Sequence, residues 1–144
     1  MLQKILSTNT SLAGLFLRLG LGITILPHGY QKISDFGNMV DLLSGHYGLP
    51  TLIAILVILI EFFSPILLLI GVFTRINALL LAIVLFGAAF FHLEHGFFMN
   101  WLGNQSGEGY QFSLLYVLCA MAAVVIGGGK LSIDAILQNK FKTK

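Results

Sequence analysis

Four apolar stretches divide the chain, at about residues 11–33, 50–73, 76–93 and 110–127. At a rise of about 1.5 Å per residue, each reaches across a hydrocarbon core of about 30 Å, the shorter two only just. A backbone in lipid must satisfy its polar groups internally, so each stretch is expected to be a helix. The pattern predicts an all-α, polytopic membrane protein: an antiparallel bundle of four transmembrane helices forming one domain over residues 1–144, with no internal repeat. The short polar turn at Thr74–Arg75 makes the second and third spans a tight hairpin.

The segments near Ser34–Leu49 and Glu94–Gly109 read as outer loops, and Tyr47, Phe97, Phe98 and Trp101 in them suit an interfacial belt. Leu131–Phe141 is expected to lie as a short helix on the inner surface, capped by Ser132, with Ile133, Ile136 and Leu137 turned to lipid. The first stretch reads as a retained span rather than a leader. It carries Arg18 within its apolar run, and no small-x-small cleavage site follows.

Composition agrees. Of 144 residues, 57% are apolar and 10% charged, against roughly 25% charged in an ordinary soluble domain; mean hydropathy is +0.92. These values argue against a soluble enzyme, a disordered chain and a disulfide-stapled domain. The single cysteine, Cys119, lies in an apolar run and reads as a small core residue.

The net charge of +2 matters less than its placement, and it gives no reason to expect nucleic acid as a partner. Lys4, Arg75, Lys130, Lys140, Lys142 and Lys144 fall on one side of the predicted spans, and Lys32 alone stands at the edge of the other. The positive-inside rule puts both termini in the cytoplasm.

Polar residues inside apolar spans are costly and therefore informative. Arg18 and Glu61, on antiparallel spans, fall within about one helical turn of the same depth by counting from the span ends. Each charge costs about 2.5–3.5 kcal/mol to insert, so the two are expected to pair. Gly14, Gly22 and Gly29 share a face with Arg18 and invite close approach of another helix. Pro65 denies the carbonyl of Glu61 its helical donor.

A second cluster is expected near the outer surface: His28, Gln31 and Lys32 end the first span, and His92 and His95 end the third at i, i+3 spacing. Such a group can hydrogen-bond quinone carbonyls, carry protons near neutral pH, or hold zinc, copper or haem iron. It is equally compatible with interfacial residues facing water. Beyond the nearby Glu94 no carboxylate or cysteine completes a metal set, so no metal site is assigned. The candidate ligand-binding residues are Arg18, His28, Gln31, Lys32, Glu61, His92 and His95. Gly127–Gly129 reads as a helix terminator, not a phosphate loop.

Four segments in order, Phe16–Lys32, Glu61–Arg75, His92–Phe98 and Gly109–Asp134, resemble the DoxX family over nearly the whole chain. The resemblance implies a bacterial inner-membrane protein of four helices, linked to sulfur and thiol oxidation, quinone reduction or redox-stress complexes. Its polar motif residues carry over as Arg18, His28, Gln31, Lys32, Glu61, Arg75 and His92. The chain departs from the family pattern at Ser64-Pro65, where small glycines are common, and at Gln111, where a glutamate is common. The second departure removes an ionisable group near the outer surface. The expected role is a subunit of a quinone- or thiol/sulfur-linked redox system, with quinone as the candidate cofactor. Lipid, other redox subunits and further copies of the chain are the expected partners. A non-catalytic scaffold or assembly factor and a small transporter or proton pathway are the alternatives.

Overall fold

The computed structural model describes residues 6–9 and 11–142, and among them every regular element is helical. In chain order they are α1 (Ala13–Ser34), α2 (Phe36–Asp41), α3 (Thr51–Ile70), α4 (Thr74–His92), α5 (Gln111–Ile126) and α6 (Ile133–Lys142). A π turn at Leu42–His46 follows α2, and a 3₁₀ turn at Leu93–His95 follows α4. Thr51–Ile70 and Thr74–His95 are long and apolar enough to cross a membrane, with mean hydropathies of 2.9 and 2.3. The 16-residue α5 is apolar but shorter, and α1 carries Arg18, His28, Gln31 and Lys32.

Local chemistry sets the boundaries. The Pro50 carbonyl accepts from Ile53 and Ala54 at 2.8 and 3.0 Å, starting α3. At its end Gly71 adopts φ 72°, while Gly71 and Val72 return N–H groups to Leu68 and Leu67, the left-handed stop that glycine supplies without a Cβ penalty. Only Val72 and Phe73 separate Gly71 from α4, so the expected hairpin of the second and third spans is present. Gly127, at φ 80°, ends α5, as the glycine run suggested. Ser132 caps α6 by accepting the Ala135 N–H at 3.1 Å.

The segment 34–49 differs from expectation. Rather than an irregular loop it holds α2 and a π turn, which pack beside the start of α3. The register of α1 against α3 is set by close backbone approach at two glycines. A Cβ on Gly22 would meet the Leu69 side chain at 2.6 Å and the Pro65 carbonyl at 3.1 Å, and one on Gly29 would collide with the Glu61 carbonyl. The two backbones therefore touch where Pro65 has left that carbonyl without its helical donor. Gly14 abuts the Gly127–Gly129 turn instead. The stripe of small residues thus serves two contacts, one with α3 and one with the chain after α5.

Gly29→Ala is expected to destabilise the fold by at least about 1–3 kcal/mol through overpacking. Gly20→Ala is the control: a Cβ there meets nothing within 4 Å, and alanine gains about 0.5–1 kcal/mol in a helix interior. Thermal unfolding of the two variants in one detergent should move in opposite directions.

The core is small-residue and aliphatic, with Leu21, Ile25, Leu68, Ala78, Leu81, Ala120 and Ala123 all buried. The outside is apolar too: Phe16, Ile23, Leu52, Ile83, Leu118 and Val125 are each more than half exposed. A surface of that kind suits lipid rather than water.

Candidate functional site

Arg18 is fully buried, and its partner is not Glu61. Its Nε donates to the Gly128 carbonyl at 2.7 Å, Nη1 to Leu68 and Leu69 at 3.0 and 2.9 Å, and Nη2 to Leu131 at 2.6 Å. The two α3 carbonyls lie within its last turn, where helical donors have run out, and those of Gly128 and Leu131 belong to the turn between α5 and α6. The expected Arg18–Glu61 pair is thus replaced by a clasp of four backbone oxygens. The reason is register: Glu61 lies opposite Gly29, and Arg18 sits 11 residues, or about 16 Å, further down α1. Counting from span ends misjudged the depth because α3 begins beside α2, not beside the end of α1.

Around the clasp, Asp134 is buried and accepts the Phe73 and Thr74 N–H groups at 2.8 Å each. A carboxylate from α6 thereby caps the N-terminus of α4, where the helix dipole favours negative charge. It also supports Phe73 at φ 45°, a left-handed conformation unusual for this residue type. Arg75 donates to the carbonyls of Ser7 and Val124 at 2.8 and 2.6 Å. This end of the bundle is knitted by long side chains that reach backbone.

The ionisable groups at the other end are arranged differently. Glu61 pairs with Lys32, and the pair borders a cavity of about 540 Å³ walled by α1, α3, α4, α5 and the 96–109 loop. Ile25, His28 and Lys32 line it from α1, at positions spaced to share a face. Leu85, Ala88 and His92 line it from α4 at i, i+3, i+7, and Phe112 and Tyr116 from α5 at i, i+4. Met99 and Glu108 close it from the loop. His92 Nδ1 lies 3.0 Å from the Glu108 carbonyl. A carbonyl only accepts, so Nδ1 carries the hydrogen, and the neutral tautomer compatible with this bond has its lone pair on Nε2. His28 makes no hydrogen bond among the described residues and is exposed.

Four of the seven candidate residues, His28, Lys32, Glu61 and His92, therefore line one cavity, and three do not. Gln31 is exposed, because it points about 120° around α1 from Ile25. His95 leaves the helical i, i+3 alignment because α4 ends at His92 and a 3₁₀ turn follows. Its Nδ1 lies 3.1 Å from Ser106 Oγ and its Nε2 3.5 Å from Glu94, so it braces the loop. Arg18 belongs to the clasp. Sequence reasoning missed Met99, Glu108, Phe112 and Tyr116. For the last two the i, i+4 spacing of aromatics at the start of a span was an available signal. Cys119 is half-buried at the edge of the core and not within it.

Residues 13–94, more than half of the chain, match the DoxX family. The chain belongs to the DoxX family. The match spans α1 through the 3₁₀ turn and so takes in His28, Lys32, Glu61 and His92, while the α5 wall lies beyond it. DoxX proteins are membrane-associated, in keeping with the two long apolar helices. An uncharacterized protein of Haemophilus influenzae is 34% identical over 85 residues, which is 58% of this chain and 52% of that protein. The chain thus spans about half the length of that curated relative. No solved structure matches it.

Proposed function

We propose that this DoxX protein crosses the bacterial inner membrane with α1, α3, α4 and α5, both termini in the cytoplasm, and serves a redox system by holding the head of a quinone in the Lys32–Glu61 cavity. The orientation rests on Arg75 and the C-terminal lysines sharing one side of the spans. The ligand class rests on the lining of the cavity: two imidazoles and an ammonium at one edge, Ile25, Leu85, Phe112 and Tyr116 around the rest. A planar ring with two oxygens suits such a mixture of apolar wall and a few placed polar groups.

A quinone accepts two electrons and two protons as it becomes a quinol. The chain has one cysteine, hence no dithiol pair, so the electrons belong to a partner redox subunit. The residues of this chain handle position and protons. Lys32, held by Glu61, is a fixed donor to a carbonyl oxygen. His28, exposed and without a hydrogen bond among the described residues, donates to the other. His92, locked in the tautomer with Nε2 bare, accepts a hydroxyl hydrogen from the quinol.

Trp101, the single tryptophan, stacks edge-on against Phe112 at 5.8 Å, and Phe112 lines the cavity. Its fluorescence in lipid nanodiscs is expected to be quenched saturably, one quinone per chain, by a short-chain quinone. Quenching that never saturates, with no quinone retained on gentle release from native membranes, overturns the reading.

A further inference from the structure

A second cavity, of about 610 Å³, lies in the seam between α1 and α5 and includes Leu17, Gly20, Thr24, Leu115, Tyr116 and Cys119. α1 packs chiefly on α3, and α5 chiefly on α4, so this seam is the loosely closed side of the bundle. Tyr116 borders both this groove and the polar cavity. On α1, Leu21 lines the groove and Ile25 the polar cavity, one helical turn apart. The groove offers almost nothing polar. The Thr24 hydroxyl is turned back onto the Gly20 carbonyl of its own helix at 2.5 Å. A Cβ on Gly20 would meet nothing within 4 Å, so the helix surface there is open to the groove.

We infer that the two cavities form one slot for a single amphiphile, with its head beside Lys32 and His28 and its hydrocarbon chain passing Tyr116 to run along α1 and α5 toward Gly20. This rests on the reading of the polar cavity as a head site and adds the route and chemistry of the rest of the molecule. The slot runs from Lys32 to Ala13, about 28 Å along α1, so it takes a long chain rather than a short substituent. A bulk lipid has no reason to choose this groove over other lipid-facing surfaces. A molecule anchored by its head in the adjoining cavity does. Because surrounding lipid is as apolar as the groove, the chain gains packing contacts rather than transfer out of water, and its signature is position.

The test uses the full chain in nanodiscs and a quinone carrying a photoreactive diazirine at the end of a long alkyl chain, with adducts mapped by mass spectrometry. Adducts are expected on peptides containing Leu17, Gly20 or Cys119, abolished by excess unlabelled long-chain quinone. Gly20→Leu should cut groove labelling about tenfold or more by filling the path, and its fold is verified by Trp101 quenching with a tailless quinone. Saturable quenching with adducts spread evenly over outward residues such as Ile83 and Phe86 overturns the route alone. Absence of saturable quenching by any quinone overturns the head site and the route together.

Discussion

Arg18→Met is expected to lower stability by about 3–5 kcal/mol, the range for removing one partner from a buried charged network. Native proteins are stable by about 5–15 kcal/mol in total, so the variant should accumulate poorly and unfold well below the parent. The size follows from what is left behind. Four carbonyls, from Leu68, Leu69, Gly128 and Leu131, lose a charged donor together, and a buried acceptor deprived of its donor bears its desolvation cost. Arg18→Lys should recover only part of the loss, because an ammonium has three donors on a point and cannot fork between α3 and the turn after α5. Thermal unfolding in detergent measures both. The same experiment tests the register. With Glu61 two to three turns away from Arg18, Arg18→Met and Glu61→Gln should add to within about 0.5 kcal/mol, as independent sites do. A large coupling between them would mean that the two charges meet after all.

Lys32→Met is expected to weaken quinone binding by about ten- to a hundredfold, the worth of a hydrogen bond to a charged group. Its cost to stability should exceed that of Glu61→Gln. The Glu61 side chain is 6% exposed and the Lys32 side chain 28%. Removing the lysine strands a buried carboxylate, whereas removing the carboxylate charge leaves an ammonium that can turn toward water. The double variant Lys32→Met, Glu61→Gln should therefore be more stable than Lys32→Met alone while remaining a weak binder. Fluorescence titration and thermal unfolding of the three proteins separate the two effects. Equal stability losses for the single variants would show that the pair is not asymmetrically buried.

Hydropathy alone located α1, α3, α4 and α5 to within a few residues, because an apolar run that long has few other structures open to it. The glycines also spoke clearly at Gly127, which ends a helix, and at Gly22 and Gly29, which admit α3, while the stop at Gly71 went unread inside the second apolar stretch. What stayed hidden depends on three-dimensional register. The mixed composition of 34–49 conceals α2, a short helix that packs beside α3. Because Glu61 faces Gly29 across the interface, Arg18 lies about three turns away from it and meets backbone oxygens instead. A carbonyl has no letter in a sequence, so a charge satisfied by backbone looks unpaired until the fold is known. Asp134 was invisible as a cap for the same reason: its N–H partners at Phe73 and Thr74 lie about 60 residues upstream. At the polar cavity, His28, Lys32 and His92 were named from residue type at span ends, and Glu61 as a carboxylate within an apolar run. His95 was misplaced because helical spacing was applied beyond the point where the helix stops.

The clasp also has a history in time. Arg18 is made first, and Gly128 and Leu131 follow 110 and 113 residues later. At about 5–20 residues per second of translation, the guanidinium waits roughly 5–20 s for half of its acceptors. During that interval the nascent chain holds an unsettled charge in α1, and completion of the turn between α5 and α6 resolves it. A chain broken off before Gly128 never reaches that state. A segment made 110 residues and more after Arg18 thus seals the helix that carries it, so α1 is settled only once α5 has been made.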